Sequence, residues 1–291
     1  MNTVVPLGDG ILLELCRMAG MDCRDARLIR VCANAVFHLP RATAVVRVAS
    51  AEMAAKARRA VRMAHWLESI GFPAVRVHPA TPEAVVVEGV VATFWEYLPQ
   101  PRHAPPVVRL ASLLRRLHEE SPPFPLPPWD PVADARSNLL LATGTLQDSD
   151  REFLLDWCDR LDGELPANQY SLPYGLIHGD AWAGNLLWSG REVVLCDLDQ
   201  MCHGPLEWDL VPTVVNGLRF GHPTAEEFLG AYGFDARAAE GFPLLRQVRE
   251  LTMLTGALPA LSSRPSIARE ISRRISNLRD SSGSGEWTPY E

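Results

Sequence analysis

From residue 9 to 20 the apolar side chains Ile11, Leu12, Leu15 and Met18 recur at helical spacing, behind Asp9 as a capping residue type and ahead of a stop at Gly20. The period then shortens. Extended apolar runs at 28–31, 35–39 and 44–48 are broken near Asn34 and at Pro40-Arg41-Ala42, which predicts three adjacent strands of an antiparallel sheet. Residues 51–70 predict a strong helix, alanine-rich with Ala60, Met63, Ala64 and Leu67 on one side, stopping at Gly71 before Pro73. Strands follow at 75–77, 84–87 and 90–95, the last two joined by a turn at Glu88-Gly89. The proline-rich stretch 98–106 predicts a stiff connector. Beyond it the periodicity is almost wholly helical, over 107–119, 148–165, 207–217, 225–232, 244–258 and 266–278, with a second proline-rich crossing at 121–131. The pattern divides the chain into a sheet-rich lobe at 1–97, a connector at 98–106, a helical lobe at 107–280 and a frayed tail at 281–291.

Composition narrows the class. The chain has 291 residues, 47% of them hydrophobic, enough for a sizeable core and near the size at which single cores give way to two lobes. Its 28 basic residues face 35 acids for a net charge of −7, which argues against a nucleic-acid partner. Lys56 is the one lysine; every other basic residue is arginine. The six cysteines form no CxxC pair, so a zinc ribbon or thioredoxin-type motif is excluded and buried free thiols are expected. With no apolar run of membrane-spanning length and no basic-then-apolar start, the expectation is a cytoplasmic protein without a membrane partner.

Chemistry concentrates in one stretch. Leu176-Ile177-His178-Gly179-Asp180-Ala181-Trp182-Ala183-Gly184-Asn185-Leu186-Leu187 reads as a buried strand, a polar loop and a short apolar run. After a turn at Ser189-Gly190, Val193-Val194-Leu195-Cys196-Asp197-Leu198-Asp199 adds a second buried strand ending in two carboxylates. Asp180, Asn185 and Asp197 offer carboxylate and amide oxygens, the ligands that hard Mg²⁺ prefers, and magnesium suggests phosphate.

The spacing His-Gly-Asp-x4-Asn, followed by an apolar strand ending in Asp, resembles the aminoglycoside phosphotransferase and choline kinase family, relatives of protein kinases. Gly204-Pro205-Leu206-Glu207-Trp208-Asp209-Leu210 is similar to the family's stretch in which an acidic residue steadies the catalytic loop, which implies a loop-bracing role for Asp209; Leu113-Leu114-Arg115-Arg116-Leu117-His118 is similar to the family's helix after the connector, and the lobe order matches from about residue 26 to 278. The resemblance implies an α+β, two-lobed protein-kinase-like fold and a small-molecule kinase using ATP or GTP with Mg²⁺. By position, Asp180 would be the catalytic aspartate, His178 would organise its loop, and Asn185 and Asp197 would hold the metal, with Asp199 as an extra ligand or supporting acid. Arg47 stands where the family places a phosphate-binding lysine, and Ala60 where the next helix carries a glutamate. Trp95, Glu96 and Tyr97 would run along the nucleotide base, with Phe94 or Leu187 packed on it.

In the family, the region from residue 197 to 250 lines the acceptor pocket; here nine acids face four arginines in it. That surplus predicts a cationic hydroxyl acceptor, an aminoglycoside-like antibiotic or an amine-bearing metabolite, in a resistance or metabolic role. A non-catalytic nucleotide-binding protein, suggested by Arg47, and a metal-dependent hydrolase, suggested by His178, His203 and the aspartates, are the alternatives. The sequence gives no handle on oligomeric state.

Overall fold

The computed structural model describes residues 10–31, 34–142, 146–258, 261, 265–279 and 285–290. In chain order the elements are α1 (Ile11–Met18), β1 (Arg27–Val31), β2 (Ala35–Leu39), β3 (Ala44–Ser50), α2 (Ala54–Ser69), β4 (Val85–Val87), β5 (Val90–Glu96) and α3 (Val107–Leu117). Then come α4 (Pro131–Leu141), α5 (Asp148–Glu164), β6 (Tyr174–Ile177), β7 (Leu186–Ser189), β8 (Glu192–Leu195) and β9 (Cys202–Pro205). The last are α6 (Val211–Phe220), α7 (Ala225–Tyr232), α8 (Phe242–Thr255) and α9 (Pro265–Arg279). Two compact units emerge: a sheet unit from the described residues of Asn2–Leu113 with Ala183–Met201, and a helical unit from those of Leu114–Trp182 with Cys202–Glu291.

In the sheet unit the strands run β1-β2-β3-β5-β4, every neighbouring pair antiparallel. Alternation along β3 and β5 sorts the side chains by face. Val46, Val48, Ala92 and Phe94 join Leu15 and Cys16 of α1 in one core. Val45, Arg47 and Trp95 face the other way and line a cavity. The helix expected over 51–70 begins as a 3-10 turn, Ala51–Met53, on which the Ser50 hydroxyl accepts the Glu52 N–H at 3.4 Å, and continues as α2. The strand expected at 75–77 is reduced to isolated bridges, Ala74 to Leu195 and Val77 to Trp95.

The β7–β8 hairpin belongs to this same unit. It turns at Gly190, whose φ of +63° favours glycine. The Val75 N–H donates to the Leu195 carbonyl at 2.9 Å and the Leu195 N–H to the Pro73 carbonyl at 3.0 Å.

The helical unit buries one core from α4, α5, α6, α8 and α9, including Leu139, Leu161, Val215, Leu251 and Ile271. Its small sheet pairs β6 with β9. α4 lies where the sequence reading left no element. The frayed tail expected at 281–291 does not extend to 285–290, where Trp287 is buried and its N–H donates to the Arg219 carbonyl at 2.6 Å. Arg219 and Arg274 lie 4.7 and 4.6 Å from the Trp287 ring centroid, which explains why this segment is held. Among the described residues, no helix is long and apolar enough to cross a membrane.

Candidate active site

In the helical unit β6 runs into His178-Gly179-Asp180, and Gly179 takes a φ of +85° to turn the chain. The turn is held by Asp209, which is fully buried. Asp209 accepts the His178 N–H at 2.7 Å, the Gly179 N–H at 2.9 Å and His118 Nε2 at 2.9 Å. His118 Nδ1 faces the Tyr232 hydroxyl at 2.8 Å, and the Trp208 indole N–H donates to the Gly179 carbonyl at 2.8 Å. A buried carboxylate saturated by donors is a rigid brace. His178 is itself fully buried, its Nδ1 accepting the Asp180 N–H at 3.3 Å. It therefore shapes the loop from within.

Asp180 is the side chain this brace presents: about one third exposed, its Oδ1 pairs with Arg249 Nη1 of α8 at 2.8 Å. Arg249 is largely buried and its Nε has no partner. Nothing in the local sequence links Arg249 to Asp180, because α8 lies 69 residues further on.

The other predicted groups sit on the sheet unit. Asn185 is buried just before β7, and Asp197 follows β8, so the two flank the open end of the hairpin. The Cys196 N–H donates to the Asn185 carbonyl at 2.9 Å and ties those ends together. Asp197 has a φ of +63°, a left-handed turn that Asp tolerates better than most side chains.

Arg47 on β3 reaches both carboxylates. Its Nη2 lies 3.1 Å from Asp197 Oδ1 and 2.7 Å from Asp199 Oδ2, and its Nη1 lies 3.3 Å from Asp199 Oδ1. Arg30 adds a looser pair to Asp197 at 3.8 Å. Burial opposes the Arg47 charge, but Asp199 and Asp197 outweigh it and hold its pKa above the ordinary value. Burial pushes the Asp199 pKa upward, with Arg47 working against that push.

Arg47 and Asp197 border a cavity of about 530 Å³ that also takes in Val45, Trp95, Tyr97 and Leu187. Trp95, Glu96, Tyr97 and Leu187 line one space. Phe94 does not: strand alternation turns it into the α1 core, fully buried, so Leu187 is the base-packing candidate. The hinge backbone is partly committed. The Glu96 N–H donates to the Arg76 carbonyl and the Tyr97 N–H to the Thr43 carbonyl, both at 3.0 Å, while the Leu98 carbonyl accepts Gln100 Nε2 at 2.9 Å. His38, missed in the sequence, also lines the cavity and stacks on Tyr97 with centroids 3.8 Å apart. Burial, then the nearby Arg27, lowers its pKa, which favours the neutral ring. Of the first loop, Cys32 and Ala33 lie outside the described residues.

Within 197–250 several acids have partners in the same stretch or beside it. Glu226 and Asp235 pair with Arg237, and Glu250 with Arg219 and Arg246. Glu207 accepts the Ser171 and Leu172 N–H groups.

Residues 33–251 match the sequence profile described as the phosphotransferase enzyme family (APH). The chain belongs to this family. No curated protein matches the sequence significantly. Solved phosphotransferases share the fold at low identity. The aminoglycoside phosphotransferase APH(3'')-Id from Streptomyces rimosus is 20% identical, with a TM-score of 0.63, covering 83% of this chain and 97% of its own. The amicoumacin kinase hAmiN, solved with AMP-PNP, Ca²⁺ and Ami, is 13% identical with a TM-score of 0.70 and 96% coverage of both chains. A choline/ethanolamine kinase family protein from Mesorhizobium loti is 22% identical, with a TM-score of 0.56 and 88% coverage of both. Together these show the kinase-like α+β fold expected from the motif: an antiparallel sheet lobe followed by a helical lobe.

Proposed function

We propose that this phosphotransferase-family chain is an O-kinase that moves the γ-phosphoryl group of ATP or GTP to a hydroxyl of a small molecule. The observation that carries the reading is the Asp209-braced loop, which holds Asp180 with its side chain one third exposed and its Oδ1 paired to Arg249. Asp180 orients the acceptor hydroxyl and takes up its proton as the phosphoryl group is transferred. The ATP γ-phosphorus gains the acceptor oxygen and loses the bridging oxygen, which departs with ADP. Positioning and charge neutralisation supply most of the rate in such a reaction.

The donor set fits a divalent cation. Among the described residues, no three His, Cys, Asp or Glu side chains form a metal-holding group, so an all-protein cage is not what these residues build. The Asn185 amide and Asp197 carboxylate oxygens are hard ligands that leave positions for phosphate oxygens and water, the habit of Mg²⁺. Bound there, magnesium would neutralise phosphate charge. The cavity beside Arg47 would take the nucleotide, with Leu187 against the base, Trp95, Glu96 and Tyr97 along it, and Arg47 toward the phosphates.

For the acceptor, aminoglycosides and amine-bearing metabolites are the first class to try. Support comes from the S. rimosus enzyme, also solved with ADP and streptomycin, and from the amicoumacin kinase. Calorimetric titration with Mg²⁺ and ATP or GTP tests the donor half. The wild-type chain should bind at least one nucleotide in a Mg²⁺-dependent way, and Asp197→Ala should lose the metal dependence. Absence of nucleotide binding in the wild-type chain would overturn the reading.

A further inference from the structure

The sheet unit contains a charge arrangement that the sequence did not predict. α2 offers no carboxylate to Arg47: its one acid, Glu68, sits at the far end of the helix and pairs with Arg76 at 3.8 Å. Ala60, aligned with the family's glutamate, is buried in the helix packing. The α2 residues that border the small cavity shared with Arg47 and Asp199 are Lys56 and Ala57, so the helix contributes a cation there. The acid comes from elsewhere. Asp199 stands in the 3-10 turn Leu198–Gln200 after the hairpin, and each of its oxygens meets a different Arg47 nitrogen, the geometry of a fork on a carboxylate. Lys56 adds attraction to the same carboxylate.

We propose that Asp199 is a positioning residue that fixes Arg47 toward the nucleotide phosphates, taking the place of a helix carboxylate, and that it is not a metal ligand. The inference rests on the nucleotide site proposed above. Three observations converge on it. Both Asp199 oxygens are engaged by one planar guanidinium, so the carboxylate is oriented on Arg47. The Arg47 side chain is only 14% exposed, so without an anchoring anion it would be a poorly compensated buried charge. The residue change also has a geometric logic: a lysine gives one point of attachment, whereas an arginine can hold Asp199 with Nη1 and Nη2 and still present a shared nitrogen to Asp197 or to phosphate. Strand cation and helix acid are thus replaced by strand arginine, turn aspartate and helix lysine.

The test separates anchoring from metal binding. AMP-PNP affinity is measured by calorimetry at a series of Mg²⁺ concentrations for the wild-type chain, Asp199→Ala, Asp199→Glu, Asp197→Ala and the double variant Asp199→Ala with Ala57→Glu. Asp199→Ala should weaken nucleotide about 10- to 100-fold, the range for losing a hydrogen bond to a charged group, while the Mg²⁺ concentration for half-maximal effect stays within about twofold. Asp199→Glu should recover most of the affinity, and a carboxylate restored from the helix at Ala57→Glu should recover part of it. A comparable unfolding temperature for the variants separates these effects from misfolding. A rightward shift of the Mg²⁺ midpoint in Asp199→Ala, like that of Asp197→Ala, would make Asp199 a ligand and overturn the proposal. Unchanged nucleotide affinity in Asp199→Ala would overturn it too. No binding by the wild-type chain would remove the nucleotide site and this inference together.

Discussion

Asp209 accepts hydrogen bonds from two backbone N–H groups and one imidazole, so replacing one oxygen by an amide sets donor against donor. Asp209→Asn should cost about 1–3 kcal/mol of stability and loosen the loop that carries Asp180. Chemical denaturation gives the first number, and a fall in kcat larger than the change in nucleotide affinity marks the second. Arg249 acts on the same loop from α8. Removing its charge in Arg249→Met should lower kcat about tenfold or more, as for loss of a charge-assisted hydrogen bond to a reacting group, and leave ATP affinity unchanged. An equal loss in both parameters would show that Arg249 supports the fold rather than Asp180. Asp209 was legible as a bracing acid through the resemblance of its segment. Arg249 was not, because its pairing depends on where α8 packs.

Elements place these residues, and some of that placement was readable. The apolar runs anticipated β1, β2, β3, β4, β5 and α2, since alternation and helical period leave different traces. Phe94 shows the limit of a run with little alternation: Val90 to Trp95 is apolar apart from Thr93, so its phase had to come from the pairing of β5 with β3. α4 was overlooked for another reason. Asp130-Pro131 combines a cap with a proline at the first helical position, and the Asp130 carboxylate accepts the Ala133 N–H at 3.0 Å. Read with the prolines before it, the pair passed for the end of a linker. The β6–β9 ladder beside the Asp180 loop depends on a close approach at Gly204, where a Cβ would lie 2.7 Å from both Ile177 Cδ1 and Trp129 Cβ. Gly204→Ala should destabilise the chain by about 1–3 kcal/mol, measured by urea unfolding, because neither the ladder nor the indole has room to give.

At the scale of the molecule, sequence proximity says nothing about which acids meet which arginines. Glu250 and Arg219 neutralise each other inside the helical unit. Among the described residues no cysteine forms a disulfide, and burial pushes Cys16 up to about 12 and Cys158 up to about 11. Because these folded-state values are raised, their contribution to stability is fully present below the unfolded thiol value of about 8.5 and is lost as pH rises toward the folded values. Alkylation at pH 8 should therefore modify Cys16 and Cys158 only after denaturation, as mass spectrometry of digested native and unfolded samples will show; rapid modification of either in the native chain would contradict their burial.

Acceptor-dependent ADP release is the measurement that bears most directly on the central claim. The chain, Mg²⁺ and ATP or GTP would be run against a panel of aminoglycosides and amine-bearing alcohols, with Asp180→Asn alongside. The account predicts turnover on at least one acceptor, phosphate transferred to its hydroxyl, and a loss of about 10²- to 10⁴-fold in the variant with nucleotide binding retained. Full turnover by Asp180→Asn, or nucleotide binding with no transfer to any acceptor of the class, would contradict it.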